Sequence, residues 1–388
     1  MQITGKSCES GEWVSVRLNG SRIEAVEPLP ALPAGQAEVW IAPAFIDIQV
    51  NGYKGYNFNF GSWTKGDTTD EGFARLAGLL AAAGTAQSLP TIVTNHAEGL
   101  LGSMKAIARA VDADNELAAA LPAIHLEGPY ISSEDGARGA HPLDCVRDPD
   151  WNEFQRFQEA ANGLIKIITL APERDGAFPF IEKAAAAGVV VSIGHTAANS
   201  GPIRDAVRAG ASMSTHLGNG SHAVIPRHPN YVWDQLAEDG LTACFITDGF
   251  HVDPAALKAM MRAKGRDRSI IVSDAVALGG QPPGLYDDGR HEVLPSGKVV
   301  LAGTPYLAGA GFLLDTCLAY ALRHTGLDMK GLVSATSTNP ARLLGLANKG
   351  HLAPGYDADI TLFTVPECEA PLNILATCRG GKLVYGEG

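Results

Sequence analysis

Several features are scarce in this chain of 388 residues. Its six cysteines (Cys8, Cys145, Cys244, Cys317, Cys368 and Cys378) lie far apart and form no Cys-x-x-Cys pair. No disulfide framework or cysteine knuckle is expected, and the thiols read as reduced, mostly core residues. No stretch reaches the roughly 20 uninterrupted apolar residues of a membrane span, and MQITGKSCES has no apolar leader core. The expectation is a cytoplasmic protein with no membrane partner. Charged residues make up only 19%, and the net charge of -12 is spread without a long basic run. Phosphate-backbone binding needs a basic stripe, so no nucleic-acid partner is expected. Finally, no Gly-x-Gly-x-x-Gly opens a helix after the first strand, which leaves a dinucleotide-binding doubly wound sheet without support.

What the chain does have is 46% hydrophobic residues, enough for a large core. The first forty residues alternate short β-like runs with turns (GEWVSVRLNG, SRIEAVEPLP, EVWIAP), and ADITLFTV and GGKLVYG near the other end do the same. Ends that resemble each other and differ from the middle predict one small β domain built from both termini, a β-sandwich of residues 1–43 and 352–388. Between them, residues 44–351 alternate apolar runs of strand length with helical stretches. The runs are IAPAFIDIQV, AQSLPTIV, LPAIHLEG, LIKIITLAPE, GVVVSIGH, ASMSTHL, LTACFITDG and RSIIVSDA. Helices are expected over EGFARLAGLLAAAG, near Leu100 to Val111, near Ile203 to Ala209, and after Asp253, where Asp is a favoured N-cap and Pro254 suits the first turn. Eight such units over about 300 residues predict an α/β fold, a TIM-like (β/α)8 barrel.

In that barrel the active site lies at the C-terminal strand ends. There the sequence places Gln49 and Asn51, His125 and Glu127, His195, His216, Asp248 and His251, and Asp274. One polar residue after an apolar strand is ordinary, but imidazoles and carboxylates at successive ends of one barrel point to a metal. Glu127, His195 and His216 make a three-ligand set suited to Zn²⁺ or Fe²⁺, with bonds near ~2 Å and a position left open for water. Asp274 can take a proton from water and return it to a leaving group, although an N-cap role would also suit an aspartate. Gln49 and Asn51 are two residues apart on a strand, so both amides are expected to point into one space.

The order HLEGPY, GHT, STHL-x-N, TDGFH and SDA resembles the amidohydrolase superfamily, and within it the N-acetylglucosamine-6-phosphate deacetylases. PAFIDIQVNG and LAPGYDADITLF resemble the family where chain passes between barrel and small domain. Many amidohydrolases carry His-x-His at the end of the first strand for a second metal. With Gln49 and Asn51 there, the resemblance implies one divalent ion per subunit on Glu127, His195 and His216, with Zn, Fe, Co and Mn all admissible, and the two amides as hydrogen-bonding supports. It implies Asp274 as the acid/base of deacetylation. It further implies that His141 contacts the acetyl group or sugar, His251 the sugar hydroxyls, and Asn219 with the Gly220 backbone the phosphate. Arg227 would reach the phosphate from a neighbouring subunit, so a homodimer is implied. The loop from Gly303 to Ala308, with Leu307, would line the rim.

One departure stands out. The family usually reads Thr-His-Leu-Phe/Tyr-Asn-Ala-Met, whereas this chain reads THLGNGSH. Glycine removes volume, so a wider pocket near the phosphate is expected, with His222 and His228 as added anion partners. Rival readings are the same chemistry on N-acetylgalactosamine phosphate, an unphosphorylated N-acetyl sugar or another amide, and an inactive relative acting as a scaffold.

Overall fold

A computed structural model describes residues 1–30, 38–61, 66–304 and 306–387. Eight parallel strands form its centre: Phe45–Val50, Thr85–Val93, Ile124–Glu127, Ile165–Leu170, Val190–Ile193, Ala211–Ser214, Thr242–Ile246 and Ser269–Val272. They pair in sequence order, and all eight fall on the runs read from the sequence. The eighth and first strands meet at a bridge between Val50 and Ala275, and the Asp274 amide donates to the Gln49 carbonyl at 2.9 Å. The sheet is therefore a nearly closed barrel. Alternate residues of six strands, among them Ile48, Leu89, Ile167, Met213, Ile246 and Val272, pack together at its centre as barrel interiors require.

Helices follow each strand, and local chemistry fixes their starts. Thr69 caps Asp70–Ala82, and Asp253 caps Pro254–Lys264 by accepting from the amides of Ala255 and Ala256. Ala97–Ala113 and Ser200–Ala209 lie where helices were expected, each starting about a turn earlier. Their apolar faces cover the outer barrel surface, with Phe73, Leu76, Leu100 and Met104 against strand residues such as Ile92 and Leu126.

Both chain ends contribute to a second sheet of seven strands. Its order is Lys382–Gly386, Asn373–Arg379, Ile360–Thr364, Trp40–Pro43, Gln2–Ser7, Trp13–Asn19 and Arg22–Pro28. Trp40–Pro43 joins the two halves, antiparallel to Ile360–Thr364 and parallel to Gln2–Ser7. The sheet folds over so that Arg22 bridges Asp357, and Val16, Ile23, Ile41, Ile360 and Cys378 share one core. This is the expected sandwich built from both termini.

One element was not expected. After the eighth strand the chain forms a small antiparallel sheet, Gly284–Tyr286, His291–Val293 and Val299–Leu301, before the last barrel helix, Leu314–His324. Its turns are DDG and PSG, with Asp287, Asp288, Gly289 and Gly297 at positive φ. Those two turns were the available sequence signal. The insertion delivers Leu307 to the mouth of the barrel. Among the described residues no helix is long and apolar enough to cross a membrane.

Candidate active site

Each strand end sets its side chain by a short extension of the strand. Glu127 is the last residue of the third strand, while His195, His216 and Asp274 sit two residues beyond the fifth, sixth and eighth. These three have φ of 50, 25 and 50°, left-handed values that cost a non-glycine residue of order 1–3 kcal/mol. The turn they make redirects the chain into the barrel mouth. All four are buried.

Glu127 Oε1 lies 3.1 Å from His195 Nε2 and 3.0 Å from His216 Nε2, and the two nitrogens are 3.1 Å apart. His195 Nδ1 faces the Ala137 carbonyl at 3.1 Å, and a carbonyl only accepts, so Nδ1 carries the ring proton. The neutral ring then turns an Nε2 lone pair toward Glu127 and His216. With none on His195 Nε2, at most one proton, that of His216 Nε2, lies among the three converging atoms, whereas one cation satisfies them all. Their spacing is close to the ~3.3 Å edge of a tetrahedron with bonds of about 2.0–2.1 Å. The residues therefore fit a divalent metal. Burial pushes the Glu127 carboxyl up, but the adjoining His195 and His216 outweigh it and hold the group well below the usual carboxylate range.

His141 joins this corner. Its ring packs edge-on against His195 with centroids 4.3 Å apart, and one of its nitrogens lies within 4.8 Å of ligand atoms on Glu127 and His195. Burial, and then the neighbouring His195, push it down to about 3. It is a neutral imidazole at physiological pH.

Across the mouth, Asp274 Oδ1 accepts from Asn51 Nδ2 at 2.8 Å. Burial and then the charge of Glu127 push its carboxyl up to about 7. Beside it, His251 Nδ1 contacts Asp248 Oδ2 at 2.8 Å, and Asp248 also accepts from the amides of Phe250 and His251. The carboxylate fixes Nδ1 as the protonated nitrogen, which leaves Nε2 of His251 as an acceptor. Glu127, His141, His195, His216, His251 and Asp274 all line one cavity of about 140 Å³, together with Asn51, Asn219, Gly220 and Leu307.

The expected pair of amides divides. Asn51 lines the cavity and holds Asp274, whereas Gln49 does not line it. Both Gln49 amide atoms are buried with no hydrogen-bond partner among the described residues. The reason is a register shift of the first strand between Asp47 and Val50, which breaks the simple i, i+2 alternation.

The GNG loop behaves differently from a simple loss of volume. Gly218 has φ 99°, and a Cβ on Gly220 (φ 55°) would stand 2.6 Å from His195 Nδ1. The glycines let backbone press against the metal corner. Asn219 is tied to the His216 carbonyl through both its backbone and side-chain nitrogens. His222, expected as an added anion partner, already faces the Glu134 carboxylate at 3.3 Å and the Tyr231 hydroxyl at 3.1 Å. Arg227 and His228 are exposed and lie outside the cavity. Of the loop from Gly303 to Ala308, Leu307 reaches the cavity and Pro305 lies outside the described residues.

Two site residues escaped the sequence reading. Asn59 lines the cavity, pinned by bonds to the Thr91 carbonyl and the Val93 amide at 2.8 Å each. Nothing in NFNF marked it. Asp47 is fully buried behind Asp274, where its Oδ1 accepts from the amides of Gln49 and Ser273. Its place in the apolar run FIDIQV was the available signal.

Comparison with known proteins agrees with this geometry. Residues 40–384 match the amidohydrolase family. An N-acetylglucosamine-6-phosphate deacetylase of Bacillus subtilis (strain 168) is 32% identical over 379 residues, 94% of this chain and 91% of that protein. An N-acetylgalactosamine-6-phosphate deacetylase of Escherichia coli O157:H7 is 29% identical over 346 residues, 89% of each. The D267A mutant of the Mycobacterium smegmatis N-acetyl-D-glucosamine-6-phosphate deacetylase, solved with N-acetyl-D-glucosamine-6-phosphate, superposes with a TM-score of 0.86 at 31% identity, covering 99% of each chain. A match over most of its length, with the strand-end residues gathered at one mouth, makes this chain a member of the amidohydrolase family.

Proposed function

We propose that this protein hydrolyses the acetamide of an N-acetyl amino-sugar 6-phosphate, with N-acetyl-D-glucosamine 6-phosphate as substrate and D-glucosamine 6-phosphate and acetate as products. The observation that carries this reading is the convergence of Glu127, His195 and His216 with Asp274 across one cavity. A divalent ion on Glu127, His195 and His216, zinc by first choice and iron, cobalt or manganese by the same donor set, supplies Lewis-acid activation of water and of the amide carbonyl.

The protein's own groups do the rest. Asp274, its Oδ1 held by Asn51, takes a proton from the attacking water as the new C–O bond forms. As the C–N bond breaks, Asp274 returns that proton to nitrogen, because an amide nitrogen leaves badly as an anion. The second water proton stays on acetic acid and is lost to solvent. Neutral His141 donates an N–H toward the oxygen where charge develops. The Nε2 lone pair of His251 accepts from a sugar hydroxyl, its orientation locked by Asp248. Asn219 and the Gly220 amide receive the phosphate, and Leu307 closes the rim. Arg227, exposed here, suits reaching the phosphate of a second copy in a homodimer, since its planar fork meets phosphate oxygens two at a time. Asn51 supports Asp274 through its side chain and Gln49 through its backbone carbonyl, which accepts from the Asp274 amide. In this reading residues 44–351 form the catalytic barrel and residues 1–43 with 352–388 the accessory domain. A phosphorylated sugar is confined by its charge to the cytoplasm, and the enzyme is placed there with it.

A second reading keeps the chemistry and changes the epimer to N-acetylgalactosamine 6-phosphate, as the Escherichia coli relative's name and the altered GNG loop suggest. The test is acetate release from both 6-phosphates and from the unphosphorylated sugars, before and after chelation and with metal added back. Fast, phosphate-dependent, metal-restored release from the glucosamine derivative is expected. Equal rates with and without phosphate would remove the phosphate from the assignment.

A further inference from the structure

Beneath the metal corner lies a layer of side chains that no step above uses. His125 Nδ1 meets the Ile48 carbonyl at 3.0 Å, and its Nε2 meets Thr169 Oγ1 at 2.7 Å. Thr169 Oγ1 lies 2.6 Å from Thr215 Oγ1, which lies 2.6 Å from Ser192 Oγ. All four side chains are at most 2% exposed. They stand on, or one residue beyond, the third, fourth, sixth and fifth strands, and the chain of bonds ends on the first.

Donor directions in this chain follow from its fixed end. The Ile48 carbonyl can only accept, so His125 carries its proton on Nδ1, and a ring buried away from water stays neutral. Nε2 must then accept from the Thr169 hydroxyl. With its one proton used, Thr169 accepts from Thr215, and Thr215 accepts from Ser192. The bonds all run one way: Thr169 and Thr215 each give and receive once, and Ser192 at the outer end only gives. Because the last acceptor is a backbone carbonyl, which passes no proton on, the row is a clamp and not a proton conduit.

The clamp is placed where the ligands need it. His125 is two residues before Glu127, Thr215 immediately precedes His216, and Ser192 is three residues before His195. His195 and His216 both hold left-handed backbone, at φ 50 and 25°, a conformation that persists only when surroundings impose it. Thr215 is the hub, since its single hydroxyl ties the fourth, fifth and sixth strands together. We propose that the Ser192–Thr215–Thr169–His125 row is a positioning device that holds the strand ends bearing Glu127, His195 and His216 at metal-binding distance, with Thr215 as its central residue. The inference rests on the metal-dependent reading above.

The test compares Thr215→Val, which keeps shape and removes the hydroxyl, with Thr215→Ser, which keeps the hydroxyl. Zinc affinity of the metal-free full-length protein is measured by chelator competition, with the visible spectrum of the cobalt-loaded protein as a readout of ligand geometry. Thr215→Val is expected to weaken zinc binding by about 10–100-fold, the usual range for groups that orient metal ligands, and to alter the cobalt spectrum. Thr215→Ser should restore both. Equal affinities and spectra for all three proteins would overturn the clamp, and equal weakening by Val and Ser would reassign Thr215 to packing. If Thr215→Val does not fold, Ser192→Ala removes only the outermost donor, and unchanged zinc affinity there would overturn the proposal. A starting protein that takes up no metal would overturn the functional reading and the clamp with it, whereas normal uptake insensitive to Thr215→Val would overturn the clamp alone.

Discussion

The two walls of the barrel mouth satisfy their polar atoms in different ways. On the wall made by the third, fifth and sixth strands, Glu127 Oε1 and the Nε2 atoms of His195 and His216 crowd within 3.0–3.1 Å of one another, with too few protons among them. On the wall made by the first, seventh and eighth strands each carboxylate has its donor, Asn51 for Asp274 and His251 for Asp248, both at 2.8 Å. The first wall is costly to bury without a cation, because unpaired acceptors lose their hydration and gain nothing. The second pairs the carboxylates of Asp274 and Asp248 with donors of its own. In the proposed reading one wall holds positive charge and the other holds and passes protons and hydroxyls.

Breaking the first wall has the largest expected effect. Glu127→Gln removes the negative charge and leaves two imidazoles that bind a cation poorly together, so metal content and turnover should both collapse to background. Metal analysis of the purified variant beside acetate release checks this, and a fully loaded variant would remove Glu127 from the ligand set. Breaking the second wall should spare the metal. Asp274→Asn keeps shape and the Asn51 contact region but cannot take a proton, so kcat should fall by about 10²–10⁴-fold with metal content unchanged. Full activity would take Asp274 out of the mechanism.

The smallest effect sharpens the contrast rather than breaking it. The bond from Asn51 favours the ionised form of Asp274, whose carboxyl burial and Glu127 push up to about 7. Asn51→Leu removes that bond, so the carboxyl should rise further. Asp274 acts as a base only when ionised, so activity is lost as pH falls through its pKa. The acid limb of the pH–rate profile should therefore move to higher pH in the variant, with a modest loss of kcat on the alkaline side. An unmoved limb would mean that Asn51 does not tune Asp274.

Much of this was legible before any coordinates. Parallel barrel strands are buried on both faces, so they read as near-continuous apolar runs, and the polar residue that ends each run stands out. Glu127, His195, His216, Asp248 and Asp274 were found in that way. The small sheet of residues 284–301 was not, because strands of three residues are too short to show a period and only their turns announce them. Gln49 and Asn51 were read as equals because alternation assumes an unbroken strand, and the register shift between Asp47 and Val50 parts them. Thr169, Ser192 and Thr215 look like ordinary strand residues, and nothing local says that their hydroxyls meet.

The sequence by itself determined where strands end and which chemistry stands at each end, since burial and secondary-structure period are local properties of the chain. Only the tertiary structure decided which of those groups meet. The third, fifth and sixth strand ends are separated by tens of residues and brought within hydrogen-bond distance by the curvature and closure of the barrel. Closure also set the His195 tautomer through the Ala137 carbonyl and placed Asn51 on Asp274 rather than in solvent. These are distances between elements, which no pattern along one element encodes.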